Sequence, residues 1–152
     1  GVIEGVTSTK YKPNHRVTRA EFLALAIRAS KFATASYQGN ISDVSSSDWY
    51  ASVVATAVKE GIIASGEAFR PNDDITREEM CQILVKCYEK VKGEISANAN
   101  LTFADTNKMS DTTSVKKAVA AGLMQGRDES TFAPGDFSTR AEAAVVIGRF
   151  LK

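Results

Sequence analysis

Three arginines that share one sequence context are the residues best suited to chemistry. Arg19, Arg77 and Arg140 each follow a threonine and stand two residues before a glutamate, in Thr-Arg-x-Glu segments. The Thr-x-x-Glu spacing predicts a capping box that begins a helix. A cation there opposes the helix macrodipole by about 0.3–1 kcal/mol where it is exposed. Because this choice recurs three times, it favours recognition of an anion by the guanidinium and by free N–H groups of the helix end over a merely solvated side chain.

A tryptophan and two aspartates are further candidates for binding. Trp49 is the sole tryptophan of the chain, and it serves either in packing or as a platform on which a sugar ring stacks. Asp43 and Asp105 stand 18 and 17 residues before the glycines at 61 and 122. Either they brace a loop or cap the helix that follows, or they contact the ligand directly.

The sequence gives little support for catalysis, for a metal site or for a cofactor. The chain has one histidine, His15, and two cysteines, Cys81 and Cys87, which are too few ligands for a Cys/His zinc site. The cysteines lie six residues apart in a predicted helix, too far apart to form a disulfide, so we expect them to pack in the core. A serine or cysteine nucleophile needs a nearby base, and the repeated acids are explained by caps and loops. We therefore expect no enzyme activity, no metal and no cofactor.

The overall charge limits the partners. The 19 basic and 18 acidic residues give a net charge of +1, which provides no broad field for nucleic acid or an anionic membrane. No apolar run approaches the ~20 residues of a membrane span, so we expect no membrane insertion. Any recognition of an anion must be local.

The elements that position these residues occur as repeats. Each arginine is preceded by an aromatic-x-Pro segment and, before it, by a glycine turn, and the arginines are 58 and 63 residues apart. The glycine turns close at Gly5, Gly66 and Gly126. These glycines supply turn dihedrals, and they would also let a sugar approach the backbone N–H groups.

Apolar periodicity predicts two helices for each complete repeat. Counted from each capping threonine, apolar residues recur at offsets 4, 7, 8 and 11, as in Phe22, Leu25, Ala26 and Ala29. Further helices are predicted over 48–60 and 111–121, ended by glycines at the C′ position. The short loops allow one or two residues of strand pairing near Phe69 and Ile75.

These patterns predict an all-α fold of three tandem helix-loop-helix units, the first of them incomplete. Unit one is predicted over 1–36, unit two over 37–94 and unit three over 95–152, with linkers at 34–40 and 93–101. A helical hairpin cannot bury its apolar stripe alone, so we expect the units to pack together as one compact domain.

The order Asp43-Val … Trp49 … Gly61-Ile-Ile … Gly66 … Phe69-x-Pro71 … Ile75-Thr-Arg-x-Glu79 strongly resembles the S-layer homology domain. The resemblance covers nearly the whole chain. It implies a pseudo-threefold helical assembly that holds exported proteins on the bacterial cell wall, outside the cell. It also implies a ligand, the secondary cell-wall polysaccharide attached to peptidoglycan, often with a pyruvylated terminal sugar. The family's grooves lie between units and use the Thr-Arg-x-Glu arginine, with aromatic, aspartate and glycine-turn contributions.

The chain departs from the family pattern in two places. Unit one lacks the half that carries the aspartate and tryptophan, and unit three has Ser110 where the tryptophan would stand. Arg77 is therefore the leading ligand residue, ahead of Arg19 and Arg140 if Trp49 lies in its groove. We also expect the stripe that contains Phe22 and Leu25 to need an upstream helix, with partial dimerisation where that helix is missing.

The sequence leaves two other functions open. One is a structural self-association module that builds a surface lattice without touching glycan. The other is a small glycan-processing enzyme, whose paired carboxylates cannot be identified or excluded by counting the 18 acidic residues.

Overall fold

The computed structural model describes residues 15–152, and they form five α-helices without a named strand. The helices are α1 (Arg19–Ser30), α2 (Ala51–Lys59), α3 (Arg77–Lys92), α4 (Thr112–Ala120) and α5 (Arg140–Leu151), with a 3₁₀ turn at Thr106–Lys108 before α4. The all-α prediction is confirmed. The helices α2 and α4 are each shorter than the segments predicted for them.

The capping residues begin and end the helices as the sequence predicted. Thr18, Thr76 and Thr139 cap α1, α3 and α5, and in each case the threonine and the glutamate three residues later form a reciprocal capping box. Gly61 and Gly122 follow α2 and α4 with φ of 76° and 72°, the left-handed region that favours glycine. Local sequence therefore determines where these helices start and stop.

A closed ring of backbone hydrogen bonds joins the three units. The N–H of Val17 donates to the carbonyl of Ser138 (2.9 Å), that of Ser138 to Ile75 (3.3 Å), and that of Ile75 to Val17 (2.9 Å). Three isolated β-bridges flank the ring, pairing Arg16 with Thr139, Thr18 with Asp74 and Thr76 with Phe137. All three ring residues are almost fully buried. The ring joins equivalent positions of the units cyclically, which is the pseudo-threefold arrangement expected of the repeats.

Helix packing follows the same cyclic order. The helix α2 packs on α1 and α4 packs on α3, so the first helix of each complete unit covers the second helix of the preceding unit. The helix α1 also contacts α3 and α5. One continuous core results, and it includes Cys81 and Cys87, which are buried and unpaired as predicted. Burial raises the pKa of Cys81 to about 12 and that of Cys87 to about 11, so both stay thiols.

The expectation that the α1 stripe needs an upstream helix to be buried is wrong. Phe22 and Ala26 are fully buried, and Leu25 and Ala29 are 7% and 9% exposed. The stripe was expected to pack on an upstream helix of its own unit. In the structure α1 is instead covered by its neighbours in the ring, α2 among them.

The linker between units one and two is partly structured. The Tyr37 hydroxyl lies 2.7 Å from the carbonyl oxygens of both Ile41 and Val44, and the backbone N–H of Ala35 donates to the Thr56 hydroxyl. None of the helices within 15–152 is long and apolar enough to cross a membrane.

Candidate functional site

The three repeated arginines lie at the junctions between units. Arg19 of unit one reaches into unit two, where its Nε donates to the Phe69 carbonyl (2.9 Å) and its guanidinium lies 4.8 Å from the Phe69 ring centroid. Arg77 makes the same contacts one unit further on, with the carbonyl (2.9 Å) and ring of Phe132. Arg140 closes the cycle, because its Nη2 lies 3.1 Å from the Glu21 carboxylate of unit one.

These arginines are largely buried, which the sequence analysis did not foresee. The side chains of Arg19, Arg77 and Arg140 are only 14%, 8% and 15% exposed. Burial lowers the pKa of Arg19, and burial together with the nearby Arg127 lowers that of Arg77. The Arg77 side chain also donates through Nη2 to the Gln125 carbonyl (2.5 Å). The arginines therefore hold neighbouring units together, whatever else they do.

The N–H groups at the start of these helices are occupied, contrary to the expectation that they are free. In α1 the first two donate to the carbonyls of Asp73 (2.8 Å) and Pro71 (2.9 Å), and in α3 the corresponding pair donates to Asp136 and Pro134. The N–H of Arg140 donates to the His15 carbonyl at 2.9 Å. The starts of α1 and α3 are thus bound by the aromatic-x-Pro loop of the next unit, and the start of α5 is bound by His15. Any anion at these helix ends must therefore be bound by side chains.

Two of the capping-box glutamates, Glu79 and Glu142, each contact arginines of two units. Glu79 is bound by Arg19 of unit one (2.5 Å) and by Arg70 of its own loop (2.7 Å). Although burial acts to raise the pKa of Glu79, the backbone N–H of Thr76 and both arginines outweigh it and lower that pKa. Glu142 is bound likewise by Arg127 (2.7 Å), with Arg77 at 3.9 Å. Arg70 and Arg127 are second cations that the repeat pattern did not reveal, because they occupy different positions in their units.

A groove of about 220 Å³ opens beside Arg19. We call it the Arg19 groove; it is lined by Arg19, Ile62, Ile63, Ala64, Glu67, Ala68, Phe69, Glu79, Gln82, Ile83, Lys86 and Asp111. All three units contribute: unit one gives Arg19, unit two the glycine turn and α3, and unit three Asp111. Apolar turn residues form part of the wall, and charges of both signs form the rest. Such a mixture suits a ligand that combines apolar ring faces, hydroxyl groups and an acidic substituent.

Lys86 is a cation of this groove that the sequence analysis missed. It is exposed on α3 and stands ten residues after the capping threonine. The same offset holds Arg28 in unit one and Arg149 in unit three. A basic residue repeated at offset ten was the signal that could have identified it. In α1 and α5 the position falls in the last helical turn, where a cation also complements the helix dipole.

Asp43 and Asp105 brace the loops that follow the glycine turns. The two oxygens of Asp43 accept from the backbone N–H groups of Phe69 (2.9 Å) and Arg70 (2.8 Å), and Asp105 holds Phe132 and Ala133 in the same way. Burial acts to raise the pKa of Asp105, but these backbone hydrogen bonds lower it. The clamp fixes Arg70 and Ala133 at φ of 60°, a conformation unusual for residues other than glycine. Both aspartates therefore brace a loop, and that loop is the aromatic-x-Pro segment that follows the glycine turn of their own unit.

Two of the predicted turn glycines have different physical roles. Gly66 has φ of 89°, and its N–H donates to the Asn40 carbonyl at 2.8 Å. Gly126 is needed for space, because a Cβ there would lie 2.4 Å from the Phe103 ring. Neither glycine lines the Arg19 groove. Gly5 lies outside the described residues.

Trp49 lies in the turn before α2, with its side chain exposed. The residue is 52% exposed, and its ring meets that of Tyr50 edge to face at 5.2 Å. Its counterpart in unit three, Ser110, donates to Glu78 in the first turn of α3 (2.7 Å), and the N–H of Asp111 donates to the same carboxylate. The loop before α4 is therefore fixed to the start of the preceding unit's capped helix.

Within residues 15–152, no three His, Cys, Asp or Glu side chains cluster as a group that could hold a metal ion. The repeated acidic residues of the junctions are instead bound to arginines, threonines and backbone N–H groups. These contacts give the carboxylates a structural role at each junction.

Comparison with known proteins agrees with the repeat structure. The S-layer homology domain model matches residues 1–23, 40–81 and 102–144. An amylopullulanase of Thermoanaerobacterium thermosulfurigenes is 43% identical over 96% of the chain, and exoglucanase XynX of Acetivibrio thermocellus is 41% identical over the same share. A surface-layer 125 kDa protein of Lysinibacillus sphaericus is 30% identical over the full chain.

The chain spans only a small part of these relatives: 8% of the amylopullulanase, 14% of the exoglucanase and 13% of the surface-layer protein. Enzymes and a surface-layer protein thus share this region. The three segments that the family model matches and the five helices of the repeats support the same family assignment. The chain belongs to the S-layer homology domain family and is a module of the bacterial cell surface.

Proposed function

We propose that this chain anchors its parent protein noncovalently to the cell wall by binding a secondary cell-wall polysaccharide in grooves between its units. The observation that carries the proposal is the Arg19 groove, where a buried arginine, an exposed lysine and an apolar turn meet at a junction of units. The presence of related regions in polysaccharide-degrading enzymes and in a surface-layer protein supports a shared task of attachment.

The charges of the groove favour a sugar that carries an acidic substituent. Glu79 is already bound by Arg19 and Arg70, which leaves its charge compensated within the protein. Lys86 is exposed at the groove, so we assign it to the carboxylate or phosphate of the ligand. A charge-assisted hydrogen bond of this kind contributes about 1.5–3 kcal/mol. Arg19 then orients the groove and offers its remaining N–H groups to ligand oxygens.

We no longer rank Arg77 first among the three arginines as a ligand residue, because of its burial and its hydrogen bonds. Arg77 is the most buried of the three side chains and donates to two backbone carbonyls, so we assign it mainly to holding units two and three together. Trp49 is equivalent to Ser110, and α2 packs on α1 as α4 packs on α3. We therefore infer that Trp49 lies toward the start of α1, where Arg140 meets Glu21, and serves as a stacking surface for that junction rather than for Arg77.

A catalytic role is not proposed for this chain. The polysaccharide-degrading relatives are seven to twelve times longer than the matched region, and their names describe the whole proteins. The alternative function is self-association into a lattice without glycan contact. It predicts that the chain sediments without cell walls, and the following experiment distinguishes the two functions.

Sedimentation with purified cell walls tests the proposal. The chain should pellet with native walls and remain in the supernatant when the walls have first been stripped of their secondary polymer by acid extraction. Added soluble polymer should release the bound chain. Equal pelleting with native and stripped walls would overturn polymer binding, and pelleting of the chain alone, without walls, would favour self-association.

A further inference from the structure

The junction between units two and three carries a polar pair where the preceding junction is apolar. Asp111 caps α4, whereas the equivalent residue before α2 is the buried Tyr50. Gln82 stands six residues after the capping threonine of α3, and its equivalent in α1 is the fully buried Ala24. The Gln82 Nε2 donates to Asp111 Oδ2 at 3.2 Å. Both residues of this polar pair line the Arg19 groove.

The polar pair has unused capacity to accept hydrogen bonds. Asp111 Oδ2 accepts from Gln82 and from the Ser114 hydroxyl (2.7 Å), whereas Oδ1 accepts only from the Ser114 N–H (3.1 Å) among residues 15–152. Although burial acts to raise the pKa of Asp111, the hydrogen bonds from Ser114 and Gln82 lower it, so the group is a carboxylate at neutral pH.

The carboxylate also determines how the amide of Gln82 is turned. A carboxylate only accepts hydrogen bonds, so Gln82 must direct its amide nitrogen toward Asp111. The amide oxygen of Gln82 then has no donor within the part of the chain that the structure describes, residues 15–152. Two acceptors, Asp111 Oδ1 and Gln82 Oε1, are thus available on adjacent side chains of the groove wall.

We propose that Asp111 and Gln82 accept hydrogen bonds from hydroxyl groups of the polysaccharide, and so select an uncharged, hydroxyl-bearing edge of a sugar at their end of the Arg19 groove. This inference rests on the proposed function, because it concerns the same groove. Sugars offer O–H donors, and an ionised carboxylate is a strong acceptor for them. The negative charge of Asp111 also repels an acidic substituent, which leaves that substituent to Lys86.

The polar pair suits a different ligand surface from an exposed tryptophan. Stacking on an aromatic ring requires an apolar face of the sugar, whereas two acceptors require donors at its edge. Trp49 offers the first kind of surface before α2, and Asp111 with Gln82 offers the second kind before α4. The two junctions therefore differ in the part of a sugar that they recognise.

Removal of charge distinguishes this role from a purely electrostatic one. Asp111→Asn and Glu67→Gln each remove one negative charge from the wall of the same groove. Glu67 is exposed, so Glu67→Gln should tighten binding of an anionic polymer, by up to about threefold. Asp111→Asn should instead weaken binding at least about fivefold, because a charge-assisted hydrogen bond to a hydroxyl is lost. Titration calorimetry with purified secondary cell-wall polymer measures both changes.

Two further measurements separate ligand contact from an effect on the fold. Asparagine caps a helix as well as aspartate does, so Asp111→Asn should change the unfolding equilibrium constant in urea less than about threefold. Gln82→Met removes the second acceptor without touching the cap, and it should weaken polymer binding at least about threefold. If Asp111→Asn fails to fold, Gln82→Met decides the question.

The outcomes also distinguish this inference from the proposed function. Asp111→Asn or Gln82→Met protein that binds the polymer as tightly as wild type, or more tightly, would overturn the inference. Equal affinity of the wild-type chain for native polymer and for polymer with O-acetylated hydroxyl groups would overturn it as well. If Lys86→Ala alone weakens binding, the proposed function stands and only the role of the polar pair fails. A wild-type chain that does not bind the purified polymer would contradict both.

Discussion

At the scale of single residues, the repeated arginine combines two roles that the sequence could not separate. Its recurrence at an electrostatically unfavourable helix position indicates a special task, and the structure gives Arg77 one: two hydrogen bonds to backbone carbonyls and a cation–π contact with Phe132. The partners lie 55 and 48 residues away along the chain. Local sequence contains no information about contacts at such separations.

Replacement of Arg77 by alanine should destabilise the fold. The change leaves the carbonyls of Phe132 and Gln125 without a buried donor, at a cost of about 3 kcal/mol in the free energy of unfolding. Urea titration followed by circular dichroism measures it. Arg16→Ala is the control, since that side chain is 60% exposed and pairs with Asp74 at the surface, where loss costs less than about 1 kcal/mol. Equal, small losses would refute the structural role of Arg77.

Ser138 is a second residue whose role depends on the ring. It is fully buried, and its hydroxyl has no hydrogen-bond partner among residues 15–152, whereas its counterparts are Val17 and Ile75. Ser138→Ala removes the unsatisfied hydroxyl and should raise the free energy of unfolding by about 1 kcal/mol. Ser96→Val, at an exposed linker position, should leave it within about 0.5 kcal/mol. A less stable Ser138→Ala protein would mean that the hydroxyl is satisfied after all.

At the scale of elements, the helix ends were predictable and the helix partners were not. Capping boxes and C′ glycines act within a few residues, so Thr18, Thr76 and Thr139 and the glycines at 61 and 122 identified the ends from sequence alone. Which helix covers which is a matter of cyclic order in space. The α1 stripe was consequently assigned the wrong neighbour, and Lys86 was overlooked because it belongs to no cap or apolar stripe.

The capping boxes also predict how stability depends on pH. The folded state lowers the pKa of Glu79 and of Glu142, through backbone and arginine hydrogen bonds that outweigh burial. Their stabilisation is therefore full above the unfolded pKa of about 4.3, and it is lost as the pH falls through the lower folded values. Urea unfolding at pH 7 and pH 3 should show a smaller acid loss for Glu79→Gln than for wild type. An identical pH dependence would contradict this assignment.

At the scale of the whole molecule, the ring explains how three short units make one domain with grooves. The bonds among Val17, Ile75 and Ser138 fix the units around a shared centre, and the buried arginines fix each junction. A groove such as that beside Arg19 then takes its walls from three units at once. Ligand binding is in this account a property of the assembled ring, and no isolated unit contains the site.

The central claim is that the polymer binds in these grooves, and titration calorimetry with purified secondary cell-wall polymer tests it most directly. Lys86→Ala removes the exposed cation of the Arg19 groove, and Lys90→Ala removes an exposed cation of the same helix outside it. Both variants should remain as stable as wild type. We predict that Lys86→Ala weakens binding at least about tenfold, the loss of one charge-assisted hydrogen bond, whereas Lys90→Ala leaves it unchanged. Equal affinities for both variants and wild type would contradict the account.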